Sequence, residues 1–98
     1  MILVLTTPSD ERSFFMKKLA IVGVIITNRT IVPEVQSVLS DFGDIIIGRM
    51  GVPDRANGIN AIALIVEGDN EQLSALTGKL GRLDSVAVKS AITSVEIK

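Results

Sequence analysis

Two arginines stand where an anion could be bound. Arg49 interrupts the apolar run 45–52, and Arg55 follows in a segment rich in Gly, Pro, Asp and Asn. An arginine in an apolar strand is costly to bury without a partner, so its guanidinium either reaches out at a sheet edge or pairs with a carboxylate or an anionic ligand. Arg49 and Arg55 are therefore candidate ligand contacts. Ion pairs with Asp44, Asp54 or a neighbouring subunit are an equal alternative.

A third arginine lies in Asn28-Arg29-Thr30, between a predicted strand and a predicted helix. Backbone N–H groups at a helix N-terminus bind anions readily, so Asn28, Arg29 and Thr30 form the second part of the candidate ligand site. Ordinary helix capping by Asn28 or Thr30 accounts for the same residues. The two interpretations are compatible.

The string Thr77-Gly-Lys-Leu-Gly81 has the letters of a phosphate-binding loop. It lacks the upstream glycine that such a loop needs, and Leu80 belongs to the core stripe of a helix. Glycine inside a helix costs about 1 kcal/mol relative to alanine, so Gly78 and Gly81 predict close packing against another backbone. Met50 is also predicted to be a packing or interface residue, not a metal ligand.

Catalysis and metal binding find little support in the sequence. The chain has no Cys and no His, which removes thiolate chemistry, disulfides and the usual soft-metal ligands. A general base would have to be Asp, Glu or Lys, and Asp41 and Asp44 flank a glycine where solvation is expected. We expect no enzymatic activity, no cofactor and no metal.

Composition narrows the class of protein further. Ninety-eight residues make one domain at most, and a net charge of −1 without a basic block argues against direct nucleic-acid binding. No apolar run approaches the ~20 residues of a membrane span, and the first residues do not resemble a signal peptide. We expect a cytoplasmic protein that does not bind membranes. Hydrophobic residues make up 47% and aromatics 3%, which predicts an aliphatic core.

The periodicity of apolar residues predicts six elements in the order βαββαβ. The strands are predicted at 19–27, 44–50, 59–67 and 86–97. The first helix has Pro33 in its first turn and ends at Gly43; the second is capped by Asp69 or Asn70. This order predicts an α+β, ferredoxin-like (ACT-like) fold, with a four-stranded antiparallel sheet and both helices on one face.

The predicted strands carry apolar residues on both faces. The strand at 19–27 is apolar at nearly every position, which is typical of a strand buried on both faces. Two helices can cover only one face of the sheet. We therefore expect a homo-oligomer, a dimer or a tetramer, in which the open face packs on a partner's sheet.

Residues 1–15 differ from the rest of the chain. A short apolar run is followed by Thr, Pro, Ser and Asp before Met16-Lys-Lys begins a more regular pattern. We expect an N-terminal arm at 1–15, either poorly ordered or an extra edge strand, and one ACT-like domain at 16–98.

Four strings carry a family resemblance: Val22-Gly-Val-Ile25, Asp44-Ile-Ile-Ile-Gly-Arg-Met-Gly-Val-Pro53, Ala75-Leu-Thr-Gly-Lys-Leu-Gly81 and Val86-Ala-Val-Lys-Ser90. In architecture the chain is similar to ACT domains. In detail it resembles small stand-alone iron-only hydrogenase system regulators, whose ACT-like fold is related to the C-terminal domain of nickel-responsive repressors. The resemblance spans about Lys17 to Ser90.

The resemblance implies a regulatory or accessory role and a homo-oligomer, and the similarity to ACT domains implies a small effector, often an amino acid, at a subunit interface. Together with the candidate arginines, this gives the hypothesis of a small anionic or amino-acid-like effector. The nickel-responsive relatives bind metal through His and Cys, which this chain lacks, so nickel sensing is not implied. The alternative hypothesis is a protein–protein accessory subunit without a small ligand. It would dock on a metalloenzyme-maturation partner through the hairpin loop 51–58 or the edge strands.

Overall fold

The computed structural model describes residues 17–97, so the expectations for the arm at 1–15 lie outside the described residues. The elements are β1 Lys17–Ile26, α1 Val32–Asp41, β2 Ile46–Asp54, β3 Ile59–Gly68, α2 Asn70–Gly81 and β4 Val86–Ile97, with a short 3-10 helix, Arg29–Ile31, before α1. The strand order is β2-β3-β1-β4, and every neighbouring pair is antiparallel. The predicted ferredoxin-like fold is confirmed.

The core lies between the helices and one face of the sheet. Alternate residues of β1 and β3 point into it, because successive side chains of a strand alternate between faces. The helices contribute their apolar stripes, as the 3.6-residue period predicts. The buried side chains are Ala20, Val22, Val24, Ile26, Val35, Leu39, Ile45, Ile62, Leu64, Val66, Leu73, Leu76 and Leu80.

The prediction that β1 is buried on both faces is wrong for a single chain. From Ala20 to Ile26 its even-numbered residues are buried, but Ile21 is 52% exposed and Ile25 is 40% exposed. Both lie on the sheet face that the helices do not cover. The apolar character of that face is therefore real, and within the described part of one chain nothing covers it.

The predicted bounds of β2 are wrong at both ends. The strand runs from Ile46 to Asp54 instead of 44–50, and the connection shrinks from 51–58 to a four-residue turn at 55–58. Pro53 suggested a loop, but β2 is an edge strand, where proline is tolerated. Gly58 supplies the left-handed residue of the turn, with φ +67°, and Asn57 Nδ2 donates to Asp54 Oδ2 at 2.9 Å.

The helix ends follow the predicted chemistry with one exception. Asp69 caps α2 in a capping box with Gln72: Gln72 N donates to Asp69 Oδ1 at 2.8 Å and Asp69 N donates to Gln72 Oε1 at 3.0 Å. Pro33 lies in the first turn of α1, but the C-cap of that helix is Phe42, not Gly43. Gly43 comes next, where an added Cβ would lie 3.3 Å from the Ser40 carbonyl oxygen.

Candidate functional site

Two of the three arginines that are candidate ligand contacts lie close together at one end of the sheet. Arg29 begins the 3-10 helix after β1, and Arg55 begins the turn after β2. Both ends meet at the start of β3, because Asn60 pairs with Ile26 on one side and with Pro53 on the other. An open depression of about 380 Å³ forms there, lined by Arg29, Val32, Pro53, Arg55 and Asn60.

This depression is suited to an anion. Among the side chains that the structure describes, Arg49 donates a hydrogen bond to Gln36, whereas Arg29 and Arg55 make no side-chain hydrogen bond. A guanidinium offers five N–H donors in a planar fork that matches carboxylate and phosphate oxygens. Two such groups beside one depression give a charge and geometry that favour a small acidic ligand.

Arg49 lies further along β2 and is engaged differently. It pairs with Leu64 in the ladder, which places it on the helix-covered face. Its Nη2 donates to Gln36 Oε1 of α1 at 2.7 Å. The alternative ion pairs with Asp44 or Asp54 do not occur among the described residues; Asp54 Oδ2 accepts from Asn57 Nδ2. Arg49 lines a second depression of about 220 Å³ that shares Pro53 and Asn60 with the first.

Asn28 and Thr30 serve as a cap. Asn28 Oδ1 accepts from Thr30 N at 3.0 Å and from Thr30 Oγ1 at 2.8 Å, which fixes the entry into the 3-10 helix. Neither residue lines the arginine depression, although Arg29 between them does. Of the three candidate residues 28–30, only Arg29 lies beside another candidate arginine, Arg55.

Asn60 is a further candidate residue, to which the sequence did not point. It lines both depressions, and its Oδ1 is buried with no hydrogen-bond partner among the described residues. An unsatisfied buried acceptor costs about 1–3 kcal/mol. The feature of the sequence that could have indicated Asn60 is its polar side chain near the start of the mainly apolar strand Ile59–Gly68.

A strained residue fixes the same end of the sheet. Ser85 adopts a left-handed conformation with φ 63°, which is unfavourable for a residue with a Cβ. Its carbonyl oxygen accepts from Thr27 N at 2.9 Å and from Thr27 Oγ1 at 3.3 Å. This contact ties the start of β4 to the residue before Asn28, and so holds the loop that carries Arg29.

Met50, Gly78 and Gly81, which were predicted to pack, do not pack against other parts of residues 17–97. Met50 is 64% exposed on the open sheet face. An added Cβ on Gly78 or Gly81 would meet nothing within 4 Å, so the prediction that another backbone comes close to them is wrong for contacts within the described chain. Contact of these residues with another molecule stays a prediction.

Gly78→Ala should therefore stabilise the fold. The position lies inside α2 and is exposed, and alanine is favoured over glycine in a helix by about 1 kcal/mol. Urea unfolding should show a free energy of unfolding higher by about that amount, with an unchanged m-value. Gly51→Ala, in a strand, is the control for glycine removal in general. A loss of stability in Gly78→Ala would show that the glycine is needed for packing after all.

Metal and membrane motifs are absent from the described residues. Within 17–97, no group of three or more His, Cys, Asp or Glu side chains is placed to hold a metal ion. None of the helices in that range is long and apolar enough to cross a membrane.

The match to a family model decides the family. Residues 18–90 match the model of the TM1266-like family, which is described as "iron-only hydrogenase system regulator, putative". The chain belongs to the TM1266-like family. The solved structure of the uncharacterized protein TM1266 from Thermotoga maritima is similar to it, with 30% sequence identity and a TM-score of 0.75. That match covers 78% of this chain and 96% of the other.

A more distant likeness shows the fold alone. The C-terminal domain of the MgtC protein from Mycobacterium tuberculosis matches this TM1266-like chain with a TM-score of 0.60 and 15% identity, over 88% of this chain and 94% of that one. None of the curated proteins searched matches this sequence.

Proposed function

We propose that this TM1266-like protein is a non-enzymatic, homo-oligomeric regulatory module of the cytoplasm that binds a small anionic or amino-acid-like effector. The observation that carries the proposal is the convergence of Arg29 and Arg55 on one depression. Membership of a family described as hydrogenase-system regulators supports a regulatory role. The protein would exert its regulatory effect through the bound effector or through a partner protein.

The lining of the depression supports binding more than catalysis. Its five lining residues, Arg29, Val32, Pro53, Arg55 and Asn60, include no carboxylate, hydroxyl or amine. A general base or nucleophile needs such a group within hydrogen-bond reach of the reacting atom. Guanidinium and amide groups instead orient and neutralise a ligand.

The open sheet face supports the homo-oligomer. The register ends this face in Glu67 beside Leu19 and in Asp54 beside Ile59. The twelve residues between these ends include one charged side chain, that of Lys89. They form three rows across β2, β3, β1 and β4: Gly48, Ile65, Ile21, Ala91; Met50, Ala63, Gly23, Lys89; and Val52, Ala61, Ile25, Ala87. A flat, mainly apolar face of this kind can pack against the same face of a second copy, as in a two-fold symmetric dimer.

The size of the face is adequate for self-association. Four strands about 4.8 Å apart and three rows about 6.8 Å apart give a flat footprint of roughly 400 Å² per copy. Exposed apolar patches of this size on a monomer are commonly interaction sites. Protruding side chains add to the accessible area, which brings two copies near the ~1,000 Å² that a specific interface buries.

A thermal-shift screen tests the effector. A ligand at 100 times its Kd should stabilise the folded protein by about 2.7 kcal/mol, which is readily measured in a chain of this size. The panel contains amino acids, organic acids, inorganic phosphate and nucleotides. Arg55→Ala should abolish the shift caused by an active compound. Arg82→Ala, at the C-cap of α2 and outside the depression, should retain it.

The screen also has an outcome against the proposal. If no compound shifts Tm, or if Arg55→Ala and Arg82→Ala respond alike, the arginine depression is not an effector site.

The alternative is a protein–protein accessory subunit without a small ligand. It is favoured by the exposure of Met50 (64%) and Val52 (52%) on edge strand β2, since an apolar edge can add a strand or helix from another protein. A wild-type monomer that gives no thermal shift would support it. So would a specific partner whose binding is lost when the turn 55–58 is shortened.

A further inference from the structure

Gly51 is a glycine without a conformational or packing reason. It lies within β2 and does not adopt a left-handed backbone, and an added Cβ would meet nothing within 4 Å. Glycine inside a strand weakens it, and it often marks a place where a ligand or another backbone comes close. What the missing side chain provides here is space.

That space lies between β2 and α1. Gly51 pairs with the buried Ile62, so it is on the helix-covered face of the sheet, between Arg49 and Pro53. The depression of about 220 Å³ lies at this position, with Gln36 of α1 among its lining residues. A larger residue at 51 would project into it.

The two depressions form one groove along β2. They share Pro53 and Asn60; Arg49 lines one depression, and Arg29 and Arg55 line the other. Arg49 and Arg55 are six residues apart, about 20 Å along an extended strand. Because arginine side chains are long, both guanidiniums can reach inward over part of that distance.

We propose that this groove binds an elongated dianion, with one acidic group at Arg29 and Arg55, the second at Arg49, and the connecting chain over Gly51. The inference rests on the proposed function, since it names the ligand class of that effector site. The middle of the groove is uncharged, formed by Pro53, Ile62 and Asn60, which suits an aliphatic or uncharged connection. Asn60, whose Oδ1 is buried and unpartnered, lies where the two depressions meet.

Calorimetric titration with carboxylic acids of matched length tests the groove. The probes are succinate, adipate and suberate, with butyrate, hexanoate and octanoate as monoanions of the same carbon number. At least one dianion should bind tenfold or more tightly than its monoanion. Gly51→Val should weaken that binding at least tenfold, while Gly48→Ala, on the same strand but on the open face, stays within twofold of wild type.

Stability serves as the control for misfolding. Valine is favoured over glycine in strands, and the position has room for it. Gly51→Val should therefore unfold at a Tm equal to or above that of wild type, so that any loss of binding reports on the groove.

The outcomes separate this inference from the proposed function. Equal binding of dianion and monoanion, unaffected by Gly51→Val, overturns the groove. So does binding confined to a compact anion such as inorganic phosphate; in both cases dependence on Arg55 keeps the proposed function. If no probe binds in a manner that depends on Arg29 and Arg55, the groove is overturned, and the thermal-shift panel of amino acids, phosphate and nucleotides then decides the proposed function.

Discussion

Ala63→Glu should convert the proposed homo-oligomer into monomers. Ala63 lies in the middle row of the open sheet face, with Gly23 and Met50 beside it in the ladder. In an isolated chain the new carboxylate is solvated and costs little. When two such faces meet, two carboxylates lose water at several kcal/mol each. Since 1.4 kcal/mol is a tenfold change in Kd, the dissociation constant of the oligomer should rise at least about a thousandfold.

Sedimentation equilibrium over a range of concentrations measures this effect. Ala75→Glu is the matched control, because Ala75 is equally an exposed alanine but lies on α2, in the other layer of the fold. Wild type and Ala75→Glu should share one association constant, and Ala63→Glu should sediment as a monomer. A wild-type monomer, or dissociation caused by Ala75→Glu instead, would contradict assembly through the sheet face.

Much of the fold follows from local pattern. The stripe Leu73, Leu76 and Leu80 at helical spacing and the alternation in β1 each have one structural solution that buries the apolar side chains. With right-handed crossovers, six elements in this order then leave few topologies. The bounds of β2 could not be predicted in the same way, because Pro53 signals a loop in most contexts. Pro53 is tolerated here because β2 is an edge strand. That position is known only once the order of the strands in the sheet is known.

The candidate site was predictable in part. Arg29 and Arg55 were identified from their residue type and their flanking elements, and the fold brings them together. Asn60 was missed because its unusual feature, a buried acceptor without a partner, arises from the packing of three separate segments. Gly51 was counted as a loop glycine, since its place on the helix-covered face depends on its register with Ile62. Site geometry of this kind is absent from the spacing of residues along the chain.

Leu64→Ala should be among the most destabilising single substitutions in the chain. The side chain is fully buried in the central strand β3, and removing a buried leucine costs about 2–5 kcal/mol through lost burial and the cavity left behind. For a domain of this size, about 3 kcal/mol lowers Tm by at least about 12 °C. Differential scanning calorimetry at several protein concentrations measures the effect.

Its neighbour Ile65 provides a sharp comparison, because it is next in sequence but lies on the open face, paired with Ile21. If that face is covered only on assembly, Tm of wild type rises with protein concentration. Leu64→Ala should lower Tm and keep that slope, since its effect is on the fold of each subunit. Ile65→Ala should lower Tm less in dilute solution and flatten the slope. Identical slopes in wild type and Ile65→Ala would show that the open face does not hold the subunits together. A slope that is kept in Ile65→Ala but flattened in Leu64→Ala would place the helix layer at the interface.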